Sequence, residues 1–177
     1  MKIRVLVALS LFLLFAGSVA FAGPSMQLRV GFPADGVYSD FAVGLDLGRI
    51  IFSAGVLEAS VKANTEKHTY ISGDIGYTFG KITPFVAMAN VNLDNPAVQV
   101  SEGCLGLGIR GQYGRGRVVV DAAGRAFEFQ DEINTLLRAD LKYRVGETAF
   151  LSLGYTRWDR KSDGLFSGFG FGLEMAF

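Results

Sequence analysis

The chain of 177 residues has one cysteine and one histidine. A single cysteine excludes an internal disulfide framework and a multi-cysteine metal cage, and a single histidine excludes the usual multi-histidine metal sites. No cofactor is expected. Neither sign of charge is in surplus: Lys plus Arg and Asp plus Glu are 17 each, so nothing favours nucleic acid as a partner. Beyond the N-terminal region no run of 18 apolar residues occurs, which excludes a transmembrane helix there. The four prolines all sit at segment boundaries: Pro24, Pro33, Pro84 and Pro96. Large apolar residues are not scarce, and 15 Phe, 6 Tyr and 1 Trp argue against disorder. Glycine is abundant: its 23 residues are nearly twice the usual share of about 7%.

The first 22 residues read as an export address. Lys2 and Arg4 form a positive start, Val5 to Ala16 is apolar except for Ser10, and Ala20-Phe21-Ala22 is an A-x-A cleavage site. A secretory signal peptide over 1–22 is expected, with a mature domain over 23–177. The apolar run is too short to span a bilayer, and Gly23 is not the cysteine a lipid anchor would need. Without Lys2 and Arg4 the mature charge is −2.

The rest alternates with period two. Leu137, Ala139, Leu141, Tyr143 and Val145 share one face, with Arg138, Asp140, Lys142 and Arg144 on the other. Strands send successive side chains to opposite faces, so this segment has one oily face and one charged face. Segments around Leu105–Tyr113, Ile71–Phe79 and Phe41–Leu47 repeat the pattern, and none shows helical spacing. Short turns centre on Gly48, Gly80, Gly114 to Gly116, and Gly146. Longer polar loops are expected at 33–39, 64–68, 94–101, 130–134 and 159–164. The punctuation predicts ten strands, over 25–32, 40–48, 50–62, 69–79, 82–93, 102–113, 117–129, 135–145, 148–158 and 165–177. Eight would remain if the first hairpin lay outside the barrel. The oily face changes near Ser53 to Gly55, which suggests a bulge.

An all-β, up-and-down antiparallel barrel can point its oily face in or out. Three features point it outward. The polar face is rich in glycine (Gly44, Gly106, Gly108, Gly154, Gly168, Gly170, Gly172), where a water-facing surface would carry lysine and glutamate. The strands match the roughly 9–11 residues that a tilted strand needs to cross hydrocarbon. Aromatics gather at both strand ends, as interfacial girdles do. Tyr77, Phe79, Phe85, Tyr113, Tyr143 and Phe150 lie by the short turns; Phe32, Phe41, Tyr70, Tyr155 and Trp158 lie by the loops.

The last segment puts Phe169, Phe171, Leu173, Met175 and Phe177 on one face. This resembles the final-strand signal of bacterial outer-membrane proteins, in which a terminal aromatic is read by the barrel-assembly machinery. The resemblance implies that Phe177 is that aromatic, preceded by Phe171 and Leu173. Size, the short first hairpin and the glycine-rich last strand resemble the small YfaZ-type outer-membrane proteins. The resemblance covers the mature chain. It implies a monomeric barrel in the bacterial outer membrane, with lipids and the assembly machinery as partners.

A ten-stranded barrel has a backbone diameter of roughly 20 Å, which inward side chains must largely fill. Lumen-lining candidates are Arg29, Asp46, Asp74, Arg110, Asp121, Arg125, Arg138, Asp140, Lys142, Arg144 and Glu174, with Glu58 and Lys62 by the same register. Mixed signs in so small a space favour a paired network that closes the lumen. The alternative is a narrow channel with charge rings that select small solutes. An outer-membrane hydrolase would need His68, which falls in an expected loop with Glu66 as orienter. No G-x-S-x-G motif accompanies it, Ser72 and Ser101 have no special context, and no catalytic role is expected. A soluble periplasmic barrel holding a hydrophobic ligand is the third reading. Cys104 reads as structural.

Overall fold

The computed structural model describes residues 23–34, 36–61, 66–97, 99–160 and 164–177. The expected signal peptide and Lys62 lie outside these residues. Ten strands follow one another: β1 (Pro24–Pro33), β2 (Gly36–Leu47), β3 (Ile50–Val61), β4 (Glu66–Tyr77), β5 (Ile82–Asp94), β6 (Gln99–Arg115), β7 (Val118–Phe129), β8 (Glu132–Arg144), β9 (Ala149–Arg160) and β10 (Gly164–Ala176). Each pairs antiparallel with its chain neighbours, and β1 pairs with β10 from Ser25↔Ala176 to Pro33↔Gly168. The first hairpin is therefore part of a closed ten-stranded barrel, which removes the eight-stranded alternative. Closure leaves no unpaired strand edge.

The ladder fixes the barrel's dimensions. From Arg29, partners run through Asp40, Leu57, Tyr70 and Val91 to Glu102. In the other direction they run through Gly172, Ser152, Lys142 and Val119 to Gly114. Both paths end on β6, twelve residues apart. A shear of twelve over ten strands implies a tilt of about 40° and a backbone diameter of about 20 Å at normal strand spacing.

Two expectations about the strands need correction. The loops are shorter than the polar stretches suggested, because the strands run through Val37 to Ser39, Glu66 to His68 and Gln99 to Ser101. Polar residues there are outward positions above the oily belt or inward positions in the lumen, and the ladder satisfies their backbones. The bulge at Ser53 to Gly55 is absent, since β3 keeps unbroken register with both neighbours. What changes along β3 is the chemistry of the two faces: Ile50, Phe52, Ala54 and Val56 point out, whereas beyond them Leu57 and Ala59 point in and Glu58 points out. The recorded register shift is at Gly164/Phe166.

Turn chemistry explains the hairpins. Gly48, Gly80 and Gly116 take positive φ (78°, 65° and 63°), which an L side chain resists. The β7–β8 connection instead puts two non-glycine residues there, Gln130 (54°) and Asp131 (59°), the double positive φ of a type I′ turn. Replacing Asp131 with glycine should relieve part of this strain and stabilise the barrel by up to about 1 kcal/mol. A urea midpoint in detergent micelles checks this, and an unchanged or lower midpoint would contradict it.

The outer surface is the inverse of a soluble barrel's. Among the described residues thirty large apolar side chains are exposed, including Leu105, Leu107, Ile109, Phe169 and Phe171. A soluble monomer seldom exposes an apolar patch beyond a few hundred Å². Along β6 the outward positions from Leu105 to Tyr113 are apolar or glycine, with Ser101 above and Arg115 below. Nine residues at that tilt rise roughly 23 Å, close to the ~25 Å apolar band of transmembrane barrels. The barrel is built to stand in a bilayer. Tyr77, Phe79, Tyr113 and Tyr143 rim the belt at the turn end, with Phe32, Phe41 and Tyr155 outward on the other half. Four expected girdle members belong elsewhere: Tyr70, Phe85, Phe150 and Trp158 lie on the inward register, where packing rather than lipid holds them.

Candidate functional site: a two-layered lumen

All eleven lumen candidates fall on inward registers. The ladder height separates them from a second, apolar layer.

The lower layer is ionic. Arg29 is fully buried, bonded through Nη2 to Asp140 and 3.6 Å from Asp40. Arg138 reaches Asp40 at 2.8 Å and Asp140 at 3.0 Å, and also donates to Gln27. Arg110 grips Asp121 with two nitrogens, one through Nε at 3.0 Å. Lys142 bridges Asp121 (2.8 Å) and Glu174 (2.6 Å). Arg125 spans the barrel to Asp74, with Nη2–Oδ2 at 3.2 Å, and donates to Ser72 at 3.1 Å and to the Tyr70 hydroxyl at 3.3 Å. Five cations thus meet Asp40, Asp74, Asp121, Asp140 and Glu174, and no net charge is left in the layer. Asp46 and Arg144 lie at the turn-end rim, where Arg144 stacks on the inward Phe150 ring at 5.1 Å. Glu58 is the exception: it points outward and pairs with Lys67 at 3.3 Å.

Inward glycines make this packing possible. A Cβ on Gly154 would lie 1.9 Å from the Asp140 carboxylate, and one on Gly31 would lie 2.0 Å from the Tyr38 ring. Where four or five large side chains converge, the facing position has to be empty.

The upper layer is aromatic. Trp158, fully buried, is its hub, with centroids 5.8 Å from Tyr70, 5.9 Å from Phe127 and His68, and 6.0 Å from Phe166. Tyr38, Phe129, Leu57, Val91 and Cys104 complete it. The Trp158 indole N–H donates to Asn134 Oδ1 at 3.3 Å, and the Asn134 amide donates to the backbone carbonyl of Glu132 at 3.1 Å. This polar tether fixes the indole's orientation. A small cavity of about 130 Å³ lies beside the ionic layer, lined from Leu57 and Tyr70 past Asp74 and Arg110 down to Ile51 and Thr83 near the turn end.

The period of the sequence supplied the inward register but not this layer. Asp40 shares parity with Asp46 and opens the expected strand 40–48, yet it is not among the expected lumen residues. Tyr70 shares parity with Ser72 and Asp74, and Trp158 with Ser152 and Gly154. His68 is in β4 rather than a loop, 2% exposed, with Nε2 3.4 Å from Glu66 and its ring against Trp158. Packing explains it. Among the described residues no group of three His, Cys, Asp or Glu side chains is placed to hold a metal. Cys104 is a buried free thiol.

No protein-family model and no curated protein matches the chain. Solved barrels do. A loop-deletion form of OmpT, an outer-membrane protein of Vibrio cholerae, is 19% identical with a TM-score of 0.42, over 82% of this chain and 56% of that one. This chain therefore spans little more than half of that barrel. The N-terminal barrel domain of Pseudomonas aeruginosa OprF is 14% identical with a TM-score of 0.45, covering 89% and 98%. Neisserial surface protein A is 11% identical with a TM-score of 0.43, covering 88% and 96%. At these identities and scores the likeness carries no functional argument.

Proposed function

We propose that this chain is a bacterial outer-membrane barrel with a sealed lumen, a structural element of the membrane rather than a solute pore. The observation that carries this reading is the complete burial of Trp158 only two residues from the end of β9. A side chain so near the rim is buried only if its neighbours fill the mouth. Beneath it, Arg29 and Lys142 are buried and paired, so the second layer also lacks a free charge ring to conduct ions. The outward apolar belt supports the membrane setting. The outward Phe171, Leu173 and Phe177 of the closing segment fit the assembly role that the resemblance implies, and YfaZ-type proteins remain the suggested family. Catalysis has no support from His68, which faces rings and one carboxylate.

Planar-bilayer recording from folded protein, with folding verified by heat-modifiable gel mobility, tests the seal. No stable current steps are expected. Reproducible steps of fixed size would instead favour a narrow channel. Recovery of the protein wholly in a soluble periplasmic fraction would remove the membrane reading.

A further inference from the structure

The two rims of the barrel differ in charge. Among the described residues, the end holding Ala34 and the turn at Gln130 and Asp131 has Glu58, Glu66, Asp94, Glu102, Glu128, Asp131, Glu132 and Asp159 against Lys67, Arg157 and Arg160. Those three cations are each committed to a local acid: Lys67 to Glu58 (3.3 Å), Arg157 to Asp159 (2.6 Å) and Arg160 to Glu132 (2.6 Å). The opposite rim, at the turns around Gly48, Gly80, Gly116 and Gly146, has the exposed Arg49, Lys81, Arg115, Arg117 and Arg144 against one exposed acidic side chain, Glu147. None of these five cations has an ion-pair partner among the described residues.

Their depth is also defined. Lys81 lies 3.9 Å over the Tyr113 ring, and Arg49 Nη1 donates to the Tyr77 hydroxyl at 3.4 Å. Tyr77 and Tyr113 are the outward aromatics at the lower edge of the apolar belt. Lys81 and Arg49 are thus held where hydrocarbon gives way to headgroups, and neither is paired with an acid among the described residues. An aromatic that stays at the interface while its neighbouring cation stays charged suits a phosphodiester at the same level.

From this we infer that the turn-end rim is a binding surface for anionic glycerophospholipid headgroups, with Arg49, Lys81, Arg115 and Arg117 engaging the phosphates. The inference rests on the membrane reading above. The surface selects a leaflet as well as a lipid: the turn end is drawn to an anionic phospholipid leaflet, and the acidic rim is repelled from one. Arg144 is set apart because it stacks on the inward Phe150.

The test uses the full barrel in phosphatidylcholine vesicles with trace spin-labelled phosphatidylglycerol or spin-labelled phosphatidylcholine. The motionally restricted fraction of each label is compared by electron paramagnetic resonance. Phosphatidylglycerol should associate at least about three-fold more strongly at low salt, since basic residues near the surface attract anionic headgroups. The preference should fall toward one at high salt and in the R49Q/K81Q/R115Q/R117Q variant. That variant touches only turns and a strand end, so its heat-modifiable mobility should match the parent. Equal association of both labels with the folded parent, or an undiminished preference in the folded variant, would overturn the inference while leaving the barrel reading intact. Failure of the parent to insert into vesicles would instead remove the membrane reading on which it rests.

Discussion

Replacing Trp158 with alanine should expose Cys104 to a water-soluble thiol reagent about a hundredfold faster than in the parent. The expectation follows from the geometry of the upper layer. The Trp158 indole lies against His68, Tyr70, Phe127 and Phe166 at once, so none of these rings can move in to fill its place without leaving another. Truncating a buried tryptophan costs roughly 3–5 kcal/mol when the site cannot collapse, and every 1.4 kcal/mol removed from a local opening raises its population about tenfold. Cys104 is packed into this layer and is 7% exposed in the parent, which makes it a native reporter. The barrel should stay folded and heat-modifiable, because its ladder is untouched. Conductance should stay low, because the ionic layer beneath is intact. Trp158→Phe, which keeps a ring but loses the Asn134 tether, should fall between. If folded Trp158→Ala leaves Cys104 as unreactive as before, the aromatic layer is not what seals that end.

The barrel was legible in the sequence because a two-residue period survives every local complication. Strict alternation in 137–145 fixed both faces of β8, and the glycine spacing set the hairpins. The inward direction of Arg29, Arg138 and Lys142 followed from parity alone. The aromatic layer was not legible for a physical reason: ring chemistry is the same at a lipid interface and in a packed interior. Trp158 and Tyr70 sit near strand ends in either case, and only parity distinguishes them. Parity was readable for Tyr70 through Ser72 and Asp74, but the girdle pattern was the stronger expectation. His68 was lost because polar residues near a strand end look like a loop. A closed ladder makes no such distinction, since it satisfies the backbone of any residue it reaches. Ion-pair partners were also beyond sequence, because Arg29 and Asp140 are 111 residues apart and meet across the lumen only once shear and tilt are fixed.

Replacing Arg29 with methionine should destabilise the barrel by roughly 3–5 kcal/mol, the usual cost of removing one partner from a buried ion pair. Arg29 is fully buried on β1, bonded to Asp140 on β8 and near Asp40 on β2, so it ties the closing seam of the barrel to a strand three places further around the ring. Without it, the Asp140 side chain, 1% exposed, is left to Arg138 alone, which must also serve Asp40 and Gln27. Asp140 has no room to retreat, because its carboxylate already occupies the space over Gly154 where a Cβ would stand. The charge is therefore stranded rather than relocated, and the lost stability is mostly the cost of desolvating a carboxylate with too few donors. This account requires that neutralising the stranded partner restore much of the loss. The Arg29→Met/Asp140→Asn double variant should be more stable than Arg29→Met alone. Glu174→Gln, at a carboxylate nearer the turn end with 16% side-chain exposure, should cost less than Arg29→Met because water can replace part of what Lys142 gave it. Urea midpoints of the four proteins in detergent micelles read these differences directly. An Arg29→Met midpoint within about 1 kcal/mol of the parent, or a double variant less stable than the single one, would mean that the lumen tolerates the unpaired carboxylate and that water reaches it more freely than its burial implies.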